Sequence, residues 1–158
     1  MSVNKMNTDD DIIYPISRLA SSLYRLSQRY YDRELEEIGI SGGQQFFLLH
    51  IADHEGISIL DLAGTEHFDK GTTARAIRKL ETLKYVVREK DKYDRRISRL
   101  FITSHGRDAI QKLYEVRKKW NRILTEHLTD SDAREVERIM KILIDNAWNY
   151  LEGPNPAK

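Results

Sequence analysis

Lysine and arginine are concentrated in two nearby segments of the sequence, residues 70–79 and 88–96, and the first segment also carries Gly71, Thr72 and Thr73. Cationic and hydroxyl side chains bind phosphate oxygens and base edges, and small residues allow a helix to approach a groove closely. A nucleic-acid contact is therefore the chemistry that these segments suit best. The candidate DNA-binding residues are Lys70, Gly71, Thr72, Thr73, Arg75, Arg78, Lys79, Arg88, Lys90, Lys92, Asp94, Arg95 and Arg96.

The charge of the chain is distributed unevenly along the sequence. Between Asp69 and Arg99 there are eleven lysines and arginines and five acidic residues, a local charge of +6, although the whole chain carries only +1. The remaining residues therefore carry −5. A segregated positive segment is typical of a surface that binds a polyanion, whereas an ordinary solvated surface mixes both signs. Accidental clustering is the less favoured interpretation.

The first basic segment has the pattern of an amphipathic helix from Lys70 to Leu83, with Asp69 as its N-cap. Ala74, Ile77 and Leu80 fall on one side, which is expected to pack on the preceding helices. The opposite side has no carboxylate and is expected to enter a DNA groove. That side carries Gly71, Thr72, Arg75, Arg78, Lys79 and Thr82.

A β-hairpin is predicted directly after this helix, because two apolar-alternating segments flank a charged tip, Lys90–Arg96. A ribbon in this place projects beside the helix, so its tip meets the phosphate backbone or the adjacent minor groove. Lys90 and Lys92 suit phosphates, and arginine is favoured where a narrow minor groove concentrates negative potential. Asp94 is expected to orient an arginine and to shape the turn through side chain-to-backbone hydrogen bonds.

Other kinds of chemistry are poorly represented in the sequence. His50 and His54 have the i,i+4 spacing of a metal-binding pair, but four ligands cannot be named. A hydrogen-bonded structural pair is therefore favoured, and a metal role stays open. There is no cysteine, P-loop, dinucleotide fingerprint or Gly-x-Ser-x-Gly motif. We expect no catalytic residue, no metal and no cofactor, and hence no enzyme.

The elements that would position the basic segments are mostly helical. Apolar residues at helical spacing predict a helix over residues 12–38, which Gly39 ends. A capping box, Ser41–Gln44, opens a second helix, and Ser58 with Asp61 begins a short third one. These helices precede the predicted recognition helix and would support it.

Two short helices, a brief turn and a basic hairpin make a winged helix-turn-helix. Two long helical segments follow the hairpin, at about 104–127 and 131–151. The expected fold class is thus mainly α with a small β-hairpin wing. The expected organisation of this single chain is a winged helix-turn-helix over 41–103, long N- and C-terminal dimerisation helices over 12–38 and 104–151, and flexible tails at 1–10 and 153–158.

The terminal helices carry more apolar residues than one small winged domain can bury, as Leu23, Leu113 and Met140 illustrate. A helix that cannot bury its apolar face within its own chain buries it on a partner, and closed twofold pairing is the commonest solution. The sequence therefore predicts a homodimer. A twofold dimer in turn predicts a near-palindromic double-stranded DNA operator, with half-sites about 10 bp apart.

Short motifs spread along nearly the whole chain are Leu62-Ala63, Asp69–Arg75, Leu80-Glu81, Val86–Arg88, Asp94–Arg96 and Ile102–Gly106. Their combination resembles the MarR family of transcriptional regulators. The resemblance implies an intertwined homodimer that represses promoters and is released when a small, often aromatic, ligand binds. It also implies that the recognition helix starts at Lys70 and that Asp94 and Arg96 form the wing pair.

Two positions depart from the family pattern. Lys84 stands where the family commonly has glycine, so the turn from helix to strand is expected to be strained or built differently. Ser104-His105 replaces a more usual charged pair before Gly106. The positions of the family's ligand pocket leave no motif to match, so the pocket residues are unknown at this level.

Two classes of function remain open from the sequence. The favoured one is a DNA-binding repressor released by a small-molecule effector. The alternative is a winged-helix module that docks a protein or RNA and has no specific DNA operator. The start of the chain does not resemble a signal peptide and no apolar run approaches the roughly 18 residues that span a bilayer, so a cytoplasmic protein without a membrane partner is expected.

Overall fold

The computed structural model describes residues 15–65 and 68–153. Within these ranges the elements are helices α1 (Ile16–Glu34), α2 (Gln45–Asp53), α3 (Ile59–Gly64), α4 (Lys70–Thr82), α5 (Ser104–Leu124) and α6 (Asp130–Glu152), and strands β1 (Val86–Lys90) and β2 (Ser98–Ile102). A mainly helical chain with one antiparallel hairpin confirms the predicted fold class. The expected flexible tails lie outside the described residues, apart from Gly153.

Local capping signals determine where the helices of the helix-turn-helix begin. The Ser58 hydroxyl accepts a hydrogen bond from the Asp61 amide at 3.0 Å and donates to the Asp61 carboxylate at 2.7 Å. Asp69 accepts from the Thr72 amide at 2.9 Å at the start of α4. Both predicted caps are confirmed, because each side chain satisfies an amide that has no partner inside its helix.

Helices α2, α3 and α4 pack around an apolar core that also includes the inner side of the hairpin. Each fully buried side chain of this kind contributes roughly 1.5–3 kcal/mol to stability, so the core holds the helices and the hairpin together. The largest fully buried apolar side chains here are Phe47, Leu48, Ile51, Leu62, Ile77, Leu80 and Leu100.

The hairpin is held along both edges of β2. On one side β1 pairs with it in antiparallel register, with Lys90 opposite Ser98. On the other side, the Gly56 amide donates to the Leu100 carbonyl at 2.8 Å and the Leu100 amide donates to the Ile57 carbonyl at 3.0 Å. The backbone at Gly56 and Ile57 therefore holds β2 on the side opposite β1.

The predicted first helix is wrong at its C-terminal end. α1 stops at Glu34, and a 3₁₀ turn, Glu36–Ile38, follows it. Leu35, between them, is fully buried, and the Tyr85 hydroxyl donates to the Ile38 carbonyl at 2.9 Å. These tertiary contacts bend the chain before Gly39, which ends the turn with a φ of +66°.

The predicted capping box before α2 forms only in part. The Ser41 amide donates to the Gln44 side chain at 3.1 Å, but α2 begins at Gln45 and its N-cap residue makes no side-chain capping bond. Instead, Asp32 of α1 accepts from the Gly42 amide at 2.7 Å. A hydrogen bond to α1 therefore holds the segment before α2, whereas the sequence predicted that the local capping box would hold it.

The chain divides into two compact units, one up to Val116 and one from Arg117 onward. In the first unit, α1 exposes a row of large apolar side chains, namely Ile16, Leu19, Leu23, Tyr24 and Leu26. In the second unit, α6 exposes Val136, Ile139, Met140, Ile142 and Ile144. The two long helices after the hairpin, α5 and α6, end close to the predicted bounds, at Leu124 and Glu152.

Lys84, in the turn between α4 and β1, adopts the left-handed backbone conformation with a φ of +60°. A side chain in this conformation costs roughly 1–2 kcal/mol, and glycine costs roughly 0.5–1 kcal/mol in chain entropy. We therefore expect Lys84→Gly to raise the free energy of unfolding by up to about 1 kcal/mol. Denaturant unfolding at one fixed protein concentration measures this difference.

The matched control for this substitution is Lys92→Gly. Lys92 is an exposed lysine in the hairpin tip without a positive φ, so its replacement removes the same charge and relieves no strain. Only the Lys84 variant should gain stability. An equal gain in both variants, or a loss at Lys84, would show that backbone strain is not the cause.

Candidate nucleic-acid interface

The N-terminus of α4 is built from three linked polar side chains. The Asp69 carboxylate accepts from both the amide and the hydroxyl of Thr72. These hydrogen bonds from Thr72 lower the pKa of Asp69 below its usual value. The Thr72 hydroxyl accepts in turn from Arg75 Nη2 at 3.1 Å. The helix cap thus also orients an exposed arginine one turn further along.

The packed side of α4 is rotated slightly from the predicted one. Ile77 and Leu80 are fully buried as expected, but Ala74 is only half-buried, and Thr73 and Ala76 lie in the core. The predicted DNA contact at Thr73 is therefore wrong, because this side chain is fully buried. Its hydroxyl donates to the Asp69 carbonyl at 3.0 Å, which allows a polar residue to be buried there.

The outer side of α4 has the composition that the sequence predicts. Most of the predicted contact residues on this helix are solvent-exposed, and Thr72 is half-exposed between two polar partners. No carboxylate lies among them, so the exposed side is cationic from its first turn to its last. The exposed residues are Lys70, Gly71, Arg75, Arg78, Lys79 and Thr82.

Arg88 on β1 differs from the other cationic candidates, because it is paired within the protein. Its Nε and Nη2 atoms donate to the two carboxylate oxygens of Glu81 at 3.0 and 2.7 Å. A bidentate pair of this kind holds the guanidinium in place and offsets its charge. In this structure Arg88 braces α4 against β1, its side chain is 36% exposed, and the DNA contact predicted for it stays a prediction.

The tip of the hairpin confirms the predicted role of Asp94. Arg96 donates to its two carboxylate oxygens at 3.0 and 2.9 Å, and the Arg96 amide donates at 3.0 Å. The hydrogen bonds from Arg96 lower the pKa of Asp94. The Arg96 side chain is nevertheless 91% exposed, and Lys90, Lys92 and Arg95 are exposed as well. The tip therefore presents cations to solvent on a shaped turn.

Sequence reasoning missed a second carboxylate that organises the same tip. Asp91 accepts from the Tyr93 amide at 2.8 Å, the Asp94 amide at 2.9 Å and Arg99 Nε at 2.7 Å. These hydrogen bonds, with that of the Asp94 amide the strongest influence, lower the pKa of Asp91 to about 2. An aspartate that opens a turn was the local signal for this role. The local sequence did not predict its ion pair with Arg99, which lies eight residues further along the chain.

A groove of about 600 Å³ lies between α3, the start of α4 and the hairpin. Its walls are mainly apolar, and two of the predicted DNA-contact residues line it, so the cationic surface adjoins an apolar recess. The lining residues include Ile59, Leu60, Ala63, Lys70, Arg96 and Ile97.

His50 lies in the last turn of α2, and His54 is the C-cap residue of that helix. The rings of His50 and His54 stack with centroids 4.4 Å apart, and His54 Nδ1 lies 3.1 Å from the His50 carbonyl oxygen. Within residues 15–65 and 68–153, no group of three or more His, Cys, Asp or Glu side chains is placed to hold a metal ion. In the same part of the chain, no helix is long and apolar enough to cross a bilayer.

Comparison with known proteins points to one family. A sequence model described as the MarR family matches residues 40–98. The HTH-type transcriptional regulator YybA of Bacillus subtilis is 28% identical over 92% of this chain and 97% of its own length. The crystal structure of a MarR transcriptional regulator from Methanosarcina mazei is 34% identical, with a TM-score of 0.79, and covers 86% of this chain and 98% of its own. A MarR protein from Peptoclostridium difficile is 25% identical with a TM-score of 0.83, over 94% and 97% of the two chains.

Proposed function

Because the chain belongs to the MarR family of transcriptional regulators, we propose that it binds double-stranded DNA at a specific sequence and acts as a repressor. The family is not enzymatic, and the chain is a regulator. The observation that carries the proposal is the exposed, carboxylate-free cationic side of α4 beside a cationic hairpin tip, both within one compact unit. A surface of this kind complements the phosphates and base edges of one stretch of duplex.

The two parts of this surface have different tasks in the proposal. α4 enters the major groove, where Arg75 and its neighbours reach base edges that distinguish all four base pairs. The hairpin tip, with Arg95 and Arg96, meets the backbone or the minor groove, where contacts position the protein more than they specify sequence. The proposed contacts are Lys70, Gly71, Thr72, Arg75, Arg78, Lys79, Arg88, Lys90, Lys92, Arg95 and Arg96, with Asp94 orienting the tip.

We propose that the active form is a homodimer on a near-palindromic operator. The exposed apolar rows on α1 and on α6 support this, since Leu19 is 60% exposed and Val136 is 50% exposed. Apolar rows of this length are characteristic of surfaces that a partner covers. Sedimentation equilibrium at micromolar concentration should give twice the mass of the chain. A folded monomer under those conditions would contradict the dimer.

Release from DNA is proposed to follow the binding of a small, often aromatic, effector, as the family resemblance implies. A ligand can shift this equilibrium only if it binds the DNA-free form more tightly than the DNA-bound form. The sequence contains no cysteine, so a thiol switch is chemically absent. A regulator that acts on chromosomal DNA in this way works in the cytoplasm.

Arg96→Ala should weaken binding to specific and random duplexes alike. Its side chain is 91% exposed on the hairpin tip, where it meets phosphates or a minor groove that lacks a unique base code. Loss of one phosphate contact should reduce the slope of log K against log salt by about one per subunit. Asp94→Ala should cause a milder version of this defect, because Asp94 holds Arg96 in place. Affinities measured at several salt concentrations test both.

Arg95→Ala provides the comparison within the same tip. It removes the same charge from an exposed neighbouring position, so it should change the salt slope similarly. In protein that already carries Arg95→Ala, adding Asp94→Ala should weaken DNA binding as much as it does in the wild type, because Asp94 holds Arg96. A smaller effect would show that the carboxylate also acts through Arg95. If Arg96→Ala instead abolishes the preference between sequences, the proposed division of tasks between α4 and the tip is reversed.

Selection of bound duplexes from a random pool tests the proposed function. A specific regulator should enrich one near-palindromic sequence, and the same protein should protect DNA upstream of its own gene from nuclease. Enrichment without any common sequence would instead support the alternative, a winged-helix module that docks a protein or RNA through a generally cationic surface.

A further inference from the structure

Of the two carboxylates at the hairpin tip, that of Asp91 is less exposed than that of Asp94. Three donors converge on Asp91 within 2.9 Å, two of them the backbone amides of Tyr93 and Asp94 and the third the Arg99 guanidinium. Its side chain is only 13% exposed, although the residues around it are largely solvated. The carboxylate therefore faces into the turn and away from any partner of the tip.

Arg99 extends this contact from the hairpin tip to the body of the helix-turn-helix. While its Nε atom donates to Asp91 at 2.7 Å, its Nη1 atom donates to the Gly56 carbonyl at 3.0 Å. Gly56 lies in the turn after α2, and its own amide is bonded to β2 at Leu100. One guanidinium thus connects the tip, the middle of β2 and the segment that leads into α3.

The negative charge of Asp91 argues against a direct contact between this residue and DNA. A carboxylate in a cationic tip weakens the attraction to a polyanion, so electrostatics alone favours its removal. Its three hydrogen bonds, however, fix the backbone on either side of Lys92. A rigid tip loses less conformational entropy when it binds than a flexible one. The hydrogen bonds of Asp91 should therefore strengthen DNA binding, whereas its charge should weaken it. Substitutions can separate these two effects.

We propose that Asp91 and Arg99 are positioning residues, which together clamp the hairpin tip so that Arg95 and Arg96 are presented to DNA in a fixed geometry. We call this pair, with the Gly56 carbonyl, the wing clamp. The inference rests on the proposed DNA-binding function. It adds that the tip is ordered before DNA arrives, through a contact that does not itself touch DNA.

The test compares Asp91→Ala with Glu89→Ala, which removes the same charge from the same hairpin. Glu89 is exposed on β1, opposite Arg99 in the strand register, yet Arg99 donates to Asp91. Electrostatics alone predicts that both variants bind duplex DNA more tightly. The wing clamp predicts that Glu89→Ala binds equally or more tightly, whereas Asp91→Ala binds about tenfold more weakly at the same salt concentration.

Asp91→Asn should fall between the wild type and Asp91→Ala, because an amide oxygen still accepts the backbone amides but pairs less strongly with Arg99. If Asp91→Ala does not fold, Asp91→Asn replaces it in the comparison with Glu89→Ala. Thermal unfolding of each variant identifies any global loss of structure. If Asp91→Ala is folded and binds DNA as tightly as Glu89→Ala does, the clamp has no positioning role.

A second measurement needs no DNA. The tip contains trypsin sites at Lys90, Lys92, Arg95 and Arg96, and its opening should be the step that exposes them. Cleavage there should be about tenfold faster in Asp91→Ala and unchanged in Glu89→Ala, relative to wild type. Unchanged cleavage in both variants would overturn the clamp even if the wild type binds an operator. Faster cleavage in a protein that binds no specific DNA would instead retain the clamp and reject the function.

Discussion

Gly106→Ala is expected to lower the free energy of unfolding by about 2 kcal/mol, although alanine normally stabilises a helix. Gly106 lies in the first turn of α5, where a Cβ atom would be 2.2 Å from the Tyr85 carbonyl oxygen and 2.9 Å from a methyl group of Ile102. Tyr85 presents backbone at this point, so the clash cannot be relieved by a side-chain rotation. The start of α5 must move away from β1 instead.

The displacement would also disturb a local hydrogen-bond junction. Thr103 accepts from the Gly106 amide at 2.9 Å and donates to the Lys84 carbonyl at 2.6 Å. We expect the melting temperature to fall by about 4–8 °C, measured by calorimetry at one protein concentration. Gly64→Ala in α3 is the control, since a Cβ atom there meets nothing within 4 Å among the described residues. Equal changes in melting temperature in the two variants would contradict a clash between a Cβ atom at Gly106 and the Tyr85 carbonyl.

Arg75→Ala should cost about 1–3 kcal/mol of operator affinity per half-site, or roughly 5- to 150-fold. Arg75 is exposed on the second turn of α4, and Thr72 holds its guanidinium at 3.1 Å. A guanidinium in this place can make a bidentate contact with a guanine edge. The variant should therefore lose discrimination at one base pair of each half-site, and it should lose much less affinity for random duplex.

Arg75→Lys is the matched control, because it retains the charge and cannot form the planar bidentate contact. It should bind random duplex as the wild type does and still lose the base preference. Competition binding with operators mutated one position at a time measures this. If Arg75→Ala lowers the affinity for operator and random duplex equally, Arg75 contacts phosphate and does not read a base.

The parts of the site that sequence predicts well are those determined by neighbouring residues. The caps at Ser58 and Asp69 and the pair between Asp94 and Arg96 each join residues two or three positions apart. Their geometry follows from local backbone rules. The left-handed turn at Lys84 was indicated by the family resemblance, and the backbone there has the conformation that glycine prefers.

The parts that sequence could not predict depend on contacts between distant segments. Arg99 meets the Gly56 carbonyl 43 residues away, and Tyr85 meets the Ile38 carbonyl 47 residues away. The first contact builds the wing clamp, and the second stabilises the turn after α1 where helical periodicity alone predicted a longer helix. Burial of Thr73 likewise depends on the packing of α4, which the helical period fixes only to within about one residue.

Affinity for the best selected duplex and for a scrambled duplex of the same length and composition, at one salt concentration, tests the proposed function most directly. A sequence-specific regulator should bind the selected duplex at least about 10³-fold more tightly. The cationic surface of α4 and the hairpin would account for the remaining affinity for scrambled DNA. Affinities that agree within about tenfold would contradict sequence-specific regulation, and would leave a winged helix that binds polyanions without an operator.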